Sequence, residues 1–312
     1  MKTILLIAVA IAAAIRAGNC AAQDNAGYEP ERLNKVIELL EQGQPVYYAQ
    51  ATGGFTEGVE LAQTRADYIN YEMEHGAFDI PALREFMRGL AEGGPARSGH
   101  RLTPVIVTLP VLGLDEASLR SNHWVVHQVL AAGVHGILLC HARDVDAVRA
   151  LVELVRYPFA PPAENLGEGL RGAGSQSFAA QIWGVSQNEY LAKADPWPLN
   201  PAGEILLGLK IEDAHALEQA ELTTAVPGIA FAEWGPSDME FSLLGLPRPG
   251  ALQQPEMQAA RARVFDATRA SGIFMLDICN ENNVADRIDE GVMICTGGAN
   301  AGRAHTERAM PW

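Results

Sequence analysis

Two carboxylates in this sequence could do chemistry together. Glu212 closes the apolar run Gly208-Leu-Lys-Ile-Glu212, and Asp238 closes Gly235-Pro-Ser-Asp238, just past the run 228–234. Each stands where the chain should leave a strand. The two are about one strand–helix–strand unit apart, a spacing that can return both to the same end of a parallel sheet. Paired carboxylates at such an end suit a hard divalent cation such as Mg2+, which keeps much of its shell for water and substrate oxygens. A cation held there would act as a Lewis acid. The bland alternative for each is a solvated loop carboxylate or a helix cap, the role that Asp213 and Ser237 suggest for themselves. His123 and His127, at helical spacing, have no third ligand nearby and read as a helix surface.

The elements that must position these residues recur along the chain. Apolar runs at 45–50, 67–73, 104–109, 135–141, 204–211, 228–234, 272–277 and 291–296 read as strands, with helical patterns between them. Residues 157–203, rich in Pro and Gly, break the rhythm and read as a long loop insertion after the fourth strand–helix unit. Eight strands alternating with helices, without a composition break, favour a single-domain α/β (β/α)8 TIM barrel over a doubly wound sheet. The first strand is followed by no Gly-x-Gly-x-x-Gly motif. In a barrel the active face lies at the strand C-termini. Those ends carry Glu72, Glu74 and His75, then Thr108, His141, Glu212, Asp238 and Asp277. Glu74 reads as a supporting residue, and His141 as well placed but easily satisfied by a carbonyl.

Composition bounds the partners. The chain has 312 residues, a formal charge of −15 and no long basic run, which argues against nucleic acid. Lys2, the apolar stretch 3–15 and the small residues before Gln23 match a secretory signal over 1–22. The expected mature domain is then 23–312, exported to a periplasmic or extracellular space, with no stable membrane insertion after cleavage. Cys140, Cys279 and Cys295 remain, widely spaced in apolar settings, and read as buried small hydrophobes.

A set of segments carries a family resemblance over roughly residues 31–298. They are Asp67-Tyr-Ile-Asn-Tyr-Glu-Met-Glu-His75, Ala131-Ala-Gly-Val-His-Gly-Ile-Leu139, Val155-Arg-Tyr-Pro158, Leu170-Arg-Gly-Ala-Gly174, Leu209-Lys-Ile-Glu-Asp-Ala214, Val226-Pro-Gly-Ile229 and Gly235-Pro-Ser-Asp238. In this order the chain resembles the HpcH/HpaI aldolase/citrate lyase family. The resemblance implies a barrel holding one Mg2+, Mn2+ or Co2+ ion between Glu212 and Asp238. It implies that His75 is the catalytic acid/base, with Glu72 in its network where the family usually has an aspartate. Backbone N–H groups at Ser237 and Asp238 would hold a substrate carboxylate. The family often forms hexamers through an exchanged C-terminal helix pair, so a homo-oligomer is expected. This chain ends at 299–312, soon after its eighth strand, and the exchange would be shortened or missing.

Three positions depart from the family pattern. Val107-Thr-Leu-Pro110 lacks the arginine that ends the family's third strand, Lys210 replaces a glutamine, and His141 stands where proline is common. Lys210 or His141 is the residue to supply the missing positive charge at the substrate. The expected function is a divalent-metal-dependent carbon–carbon lyase of aldolase type, acting on a small 2-oxo acid or hydroxy-oxo acid through an enolate. The lost arginine leaves open a metal-dependent hydrolase or decarboxylase on the same scaffold, or a non-catalytic binding protein.

Overall fold

The computed structural model describes residues 28–308, 310 and 311, so the expected signal segment at 1–22 lies outside the described residues. The strands are β1 (Val46–Ala51), β2 (Tyr68–Glu72), β3 (Val105–Thr108), β4 (Gly136–Leu139), β5 (Pro196–Trp197), β6 (Ile205–Ile211), β7 (Phe231–Trp234), β8 (Phe274–Asp277) and β9 (Ile294–Cys295). Every pairing is parallel, and the pairs β1–β9 and β4–β6 close the ring. Eight strands surrounded by helices form the barrel. The two-residue β5 is an accessory that pairs only with Ile205 and Leu206, below the start of β7. Each of the eight expected apolar runs overlaps one barrel strand.

Alternation along the strands decides what faces inward. On β6, Leu206 packs inside the barrel, whereas Leu207, Leu209 and Ile211 join the outer layer beneath the helices. The inward set of that strand is therefore Leu206, Gly208, Lys210 and, just past its end, Glu212. Gly208 is glycine for a spatial reason: a Cβ there would stand 2.2 Å from the ring of Phe231, which fills the barrel centre. Burying such a ring contributes roughly 2–3 kcal/mol. Val46, Tyr68, Ile106, Leu138, Leu206, Phe231, Leu276 and Ile294 form the apolar lower interior. Above them the inward positions turn polar, toward the strand C-termini.

The helix Lys35–Glu41 plugs the opposite end. Asn34 caps it by accepting from the Val36 N–H at 3.0 Å, and Val36, Ile37, Leu39 and Leu40 pack into the lower interior. Two of its charged residues, Lys35 and Glu38, are buried too, and each finds a partner. Asp67 accepts from the Lys35 ammonium at 2.9 Å, the Arg308 guanidinium at 2.6 Å and the Tyr47 N–H at 3.0 Å. Glu38 accepts from the Arg32 N–H at 3.1 Å and from the hydroxyl of Tyr28, and lies 3.0 Å from His100 Nε2. After β9 the helix Ala299–His305 is followed by a tail that returns to its own barrel. Arg308 bonds Asp67 there, and Met310 is buried in the plug.

The segment 157–203, expected as a loop, carries the helices Gln176–Trp183 and Gln187–Lys193. Gly184, at φ 72, ends the first, and Ser186 Oγ caps the second by accepting from the Glu189 N–H. Helices this short leave little periodicity in the sequence. They pack beside the N-terminal end of β4: Trp183 donates to the Gly133 carbonyl at 2.8 Å and stacks on His135. Among the described residues, no helix is long and apolar enough to cross a membrane.

Candidate active site at the C-terminal mouth of the barrel

Inward parity brings Lys210 and Glu212 of β6 to the mouth. The Lys210 side chain points into the barrel, with Nζ 2.6 Å from Glu74 Oε2 and 2.9 Å from Glu212 Oε2. Burial works against the lysine's charge, yet Glu233, Glu212 and Glu74 around it push its pKa well up. Glu212 is fully buried, and that burial pushes its carboxyl up while Lys210 opposes the shift.

His141 follows β4 and carries a left-handed backbone, φ 47, which is uncommon outside glycine and concentrates at functional sites. The turn aims its backbone N–H at Glu212 Oε1, 3.0 Å away. Its ring is fixed by Asp213, with Nδ1 2.6 Å from Oδ2, while Arg143 Nε donates to the same oxygen at 2.9 Å. The other ring nitrogen, Nε2, is left 3.7 Å from Glu74 Oε1 and 3.8 Å from Glu212 Oε1. The bond to Asp213 pushes the His141 pKa up against burial, helped by the nearby Glu212. Burial opposes ionisation of Asp213, but His141, the Ala216 N–H and Arg143 outweigh it and hold that carboxyl far below its usual range. Asp213 also caps the helix Ala214–Glu218 through Oδ1, the role its sequence suggested.

The turn after β2 brings Glu74 across to this pair. Glu72 Oε1 accepts from the Glu74 N–H at 2.6 Å and the His75 N–H at 3.0 Å, so Glu72 shapes the turn that delivers both residues. The His75 ring stands largely in solvent at the rim, 3.5 Å from Glu74 Oε2. Thr108, at the position without an arginine, donates to Asn70 Oδ1 at 3.0 Å.

The turn after β7 packs directly on Glu212. A Cβ at Gly235 would stand 2.5 Å from Glu212 Cβ and 2.6 Å from Oε2, so only glycine lets the two segments approach this closely. Pro236 then opens the helix Pro236–Leu244, with Ser237 exposed and Asp238 half-buried in its first turn. Gly235 takes the capping position; Ser237 lies inside the helix and caps nothing. The Asp238 carboxylate makes no hydrogen bond or ion pair among the described residues.

Beneath these residues lies a polar cavity of about 90 Å³ inside the barrel. Gln50, Asn70, Glu72, Thr108, Lys210 and Glu233 supply its polar wall. Glu233 is the cross-strand neighbour of Lys210 and shares its face of the sheet. It has no hydrogen-bond partner among the described residues. Burial pushes its carboxyl up to about 8, with Glu212, Glu74 and Glu72 adding to the shift and Lys210 opposing it.

Ligand atoms of Glu74, His141 and Glu212 come within 4.8 Å of one another. One carboxylate oxygen in the group, Glu74 Oε1, is buried without a hydrogen bond, and Glu212 Oε2 has only the Lys210 ammonium, 2.9 Å away. A histidine held through Nδ1 by a carboxylate, with Nε2 free, is a common arrangement for a metal ligand. The donor set therefore fits a divalent cation. Glu212 was expected in this role, whereas Glu74 was read as a supporting residue and His141 as a substrate contact. Asp238 lies outside the three-donor group. Glu233 was not singled out at all, although strand parity with Phe231 carries the signal.

The sequence profile of the family described as HpcH/HpaI aldolase/citrate lyase matches residues 111–305. A hydroxypyruvate/pyruvate aldolase from Paraburkholderia phytofirmans is 26% identical over 258 residues, covering 81% of this chain and 87% of its own. A 2-keto-3-deoxy-L-rhamnonate aldolase from Klebsiella pneumoniae is 29% identical, covering 68% and 67%. Among solved structures, an HpcH/HpaI aldolase/citrate lyase family protein from Burkholderia cenocepacia superposes with a TM-score of 0.66 at 21% identity. That superposition covers 86% of this chain and 94% of the other.

Proposed function

The chain belongs to the HpcH/HpaI aldolase/citrate lyase family and is a metal-dependent carbon–carbon lyase, and from that premise we propose an exported aldolase acting on a 2-oxo acid or hydroxy-oxo acid. The observation that carries this reading is the convergence of Glu212, Glu74 and His141 at the barrel mouth, against the Gly235–Asp238 turn. Glu212 and Asp238 are the proposed metal carboxylates, with Glu74 and His141 as additional donors. The ion is Mg2+, Mn2+ or Co2+, since carboxylates and an imidazole suit all three. When bound, the cation supplies a Lewis acid that lowers the energy of an enolate.

The chain's own residues do the rest. Asp213 keeps the His141 ring turned so that Nε2 faces the carboxylates. The free N–H groups of Ser237 and Asp238, at the start of the helix Pro236–Leu244, meet the substrate carboxylate where the helix dipole favours an anion. Lys210 is the cation for the substrate's oxo oxygen, in place of the arginine absent at Thr108. His75, at the rim, moves the proton that accompanies carbon–carbon cleavage. Glu72 holds the turn carrying His75 in register. The apolar stretch at 3–15 supports export, and the family resemblance supports a homo-oligomer.

Incubation with Mn2+ or Mg2+ and hydroxy-oxo acids should release pyruvate, or another 2-oxo acid, together with an aldehyde. Glu212→Gln should abolish that release. Carbon dioxide or a water-addition product in place of the aldehyde would instead support an oxo-acid decarboxylase or hydrolase, the reading that the absent arginine keeps open. No turnover with any oxo acid would refute the aldolase.

A further inference from the structure

The polar groups at the mouth and in the cavity below it leave one arrangement that the proposed reaction does not use. Lys210 spans the two carboxylates that face a cation, with Nζ at 2.6 and 2.9 Å from one oxygen of each. A divalent ion sits about 2.0–2.6 Å from its carboxylate oxygens. An ammonium and a divalent ion on the same two carboxylates repel one another at short range and compete for the same negative charge. Lys210 has a place to go: the 90 Å³ cavity is lined by its own stem and by Glu233, its neighbour on the adjacent strand. Glu233 faces Lys210 across that space with no hydrogen-bond partner among the described residues. Thr108 and Asn70 add oxygen acceptors on the same wall.

We propose that Lys210 occupies two positions: paired with Glu74 and Glu212 when no metal is bound, and swung into the cavity to pair with Glu233 when a divalent cation enters. Resting on the metal-site reading above, the proposal makes Lys210 an internal competitor that weakens metal affinity. It makes Glu233 a positioning residue that receives the displaced ammonium.

The test is a thermodynamic cycle read by Mn2+ titration calorimetry on the full-length protein, independent of turnover. Lys210→Met keeps most of the length of the side chain and removes its charge, and should bind Mn2+ at least tenfold tighter than wild type. Glu233→Gln should weaken Mn2+ binding severalfold in wild type and change it little in the Lys210→Met background, where no ammonium needs a new partner. Circular dichroism spectra confirm that each variant is folded. Wild type binding Mn2+ with Lys210→Met no tighter would overturn the competition. An equal effect of Glu233→Gln in both backgrounds would overturn the transfer to Glu233. Failure of the metal-site reading looks different: neither wild type nor Lys210→Met binds Mn2+, or Glu212→Gln binds as well as wild type.

Discussion

Replacing Gly235 by alanine should separate a site effect from a backbone effect. Gly235 has φ −83 and ψ 92, a conformation that alanine adopts freely. On backbone grounds alone the exchange would stabilise by about 0.4–1 kcal/mol, because the unfolded chain loses freedom. The surroundings reverse that sign. The added methyl would stand 2.5 Å from Glu212 Cβ and 2.6 Å from Glu212 Oε2, where carbon contacts normally begin near ~3.5 Å. Overpacking of this kind costs roughly 1–3 kcal/mol. The clash can be relieved only by turning Glu212 away or by lifting the turn that carries Asp238, and either movement opens the site. Urea unfolding should show a net loss of about 1–2 kcal/mol, and Mn2+ affinity by calorimetry should fall at least tenfold. Gly172 is the control: a Cβ there meets nothing within 4 Å and its φ is not left-handed, so Gly172→Ala should leave both readings intact. A Gly235→Ala protein as stable as wild type, with unchanged Mn2+ affinity, would refute the close packing of the two segments.

Three other perturbations probe the plug and the mouth. Asp67→Ala leaves the buried Lys35 and Arg308 without their shared carboxylate and should cost about 3–5 kcal/mol in urea unfolding; a loss below 1 kcal/mol on that scale would deny the ion cluster a structural role. Burial opposes ionisation of Glu38, but bonds from His100, Tyr28 and the Arg32 N–H outweigh it and hold its carboxyl at about 2, against 4.5 when unperturbed. Its contribution is therefore present above the unfolded value and disappears as pH falls toward 2. Glu38→Gln should be less stable near neutrality by on the order of 2 kcal/mol and show a flatter acid limb, measured by thermal unfolding against pH. A histidine must be neutral to bind a metal, and Asp213 pushes the His141 pKa up. Mn2+ affinity should accordingly fall as pH drops through that raised value, and Asp213→Asn should shift the fall to lower pH; a pH-independent affinity would exclude His141 from the ligand set.

The barrel was legible because each strand is a short apolar run closed by a turn, and eight such runs between helices admit few other folds. Glu212 and the Gly235–Asp238 turn were legible for the same reason, since parallel strands return their C-termini to one rim. The insertion was not, because helices of seven and eight residues are set by local caps such as Ser186 and Gly184 rather than by a periodic face. The direction of Lys210 was open in the sequence. Parity decides it: once Leu206 is inside the barrel, Gly208, Lys210 and Glu212 follow at intervals of two. The same count from Phe231 puts Glu233 inside, a residue easily passed over because a carboxylate in the middle of an apolar run reads as a solvent-facing interruption. Glu74 lies past the end of β2, and the turn that aims it is held by Glu72, a contact that strand alternation does not encode.

Asp67 and Glu38 at the plug are treated differently from the carboxylates gathered at the mouth, and that contrast bears on the function. At the plug, Asp67 has two cations and a backbone N–H, and Glu38 has a histidine, a tyrosine and backbone donors. Those carboxyls are held low, as structural carboxylates with full sets of partners should be. At the mouth, Glu74, Glu212 and Glu233 crowd around Lys210. Glu74 keeps a buried oxygen without a hydrogen bond, and Glu212 and Glu233 are pushed up instead of down. Negative charge held together with too few partners destabilises the protein unless something else supplies positive charge. A fold that gathers three under-compensated carboxylates around one ammonium at the barrel mouth has kept room there for a cation and an anionic substrate.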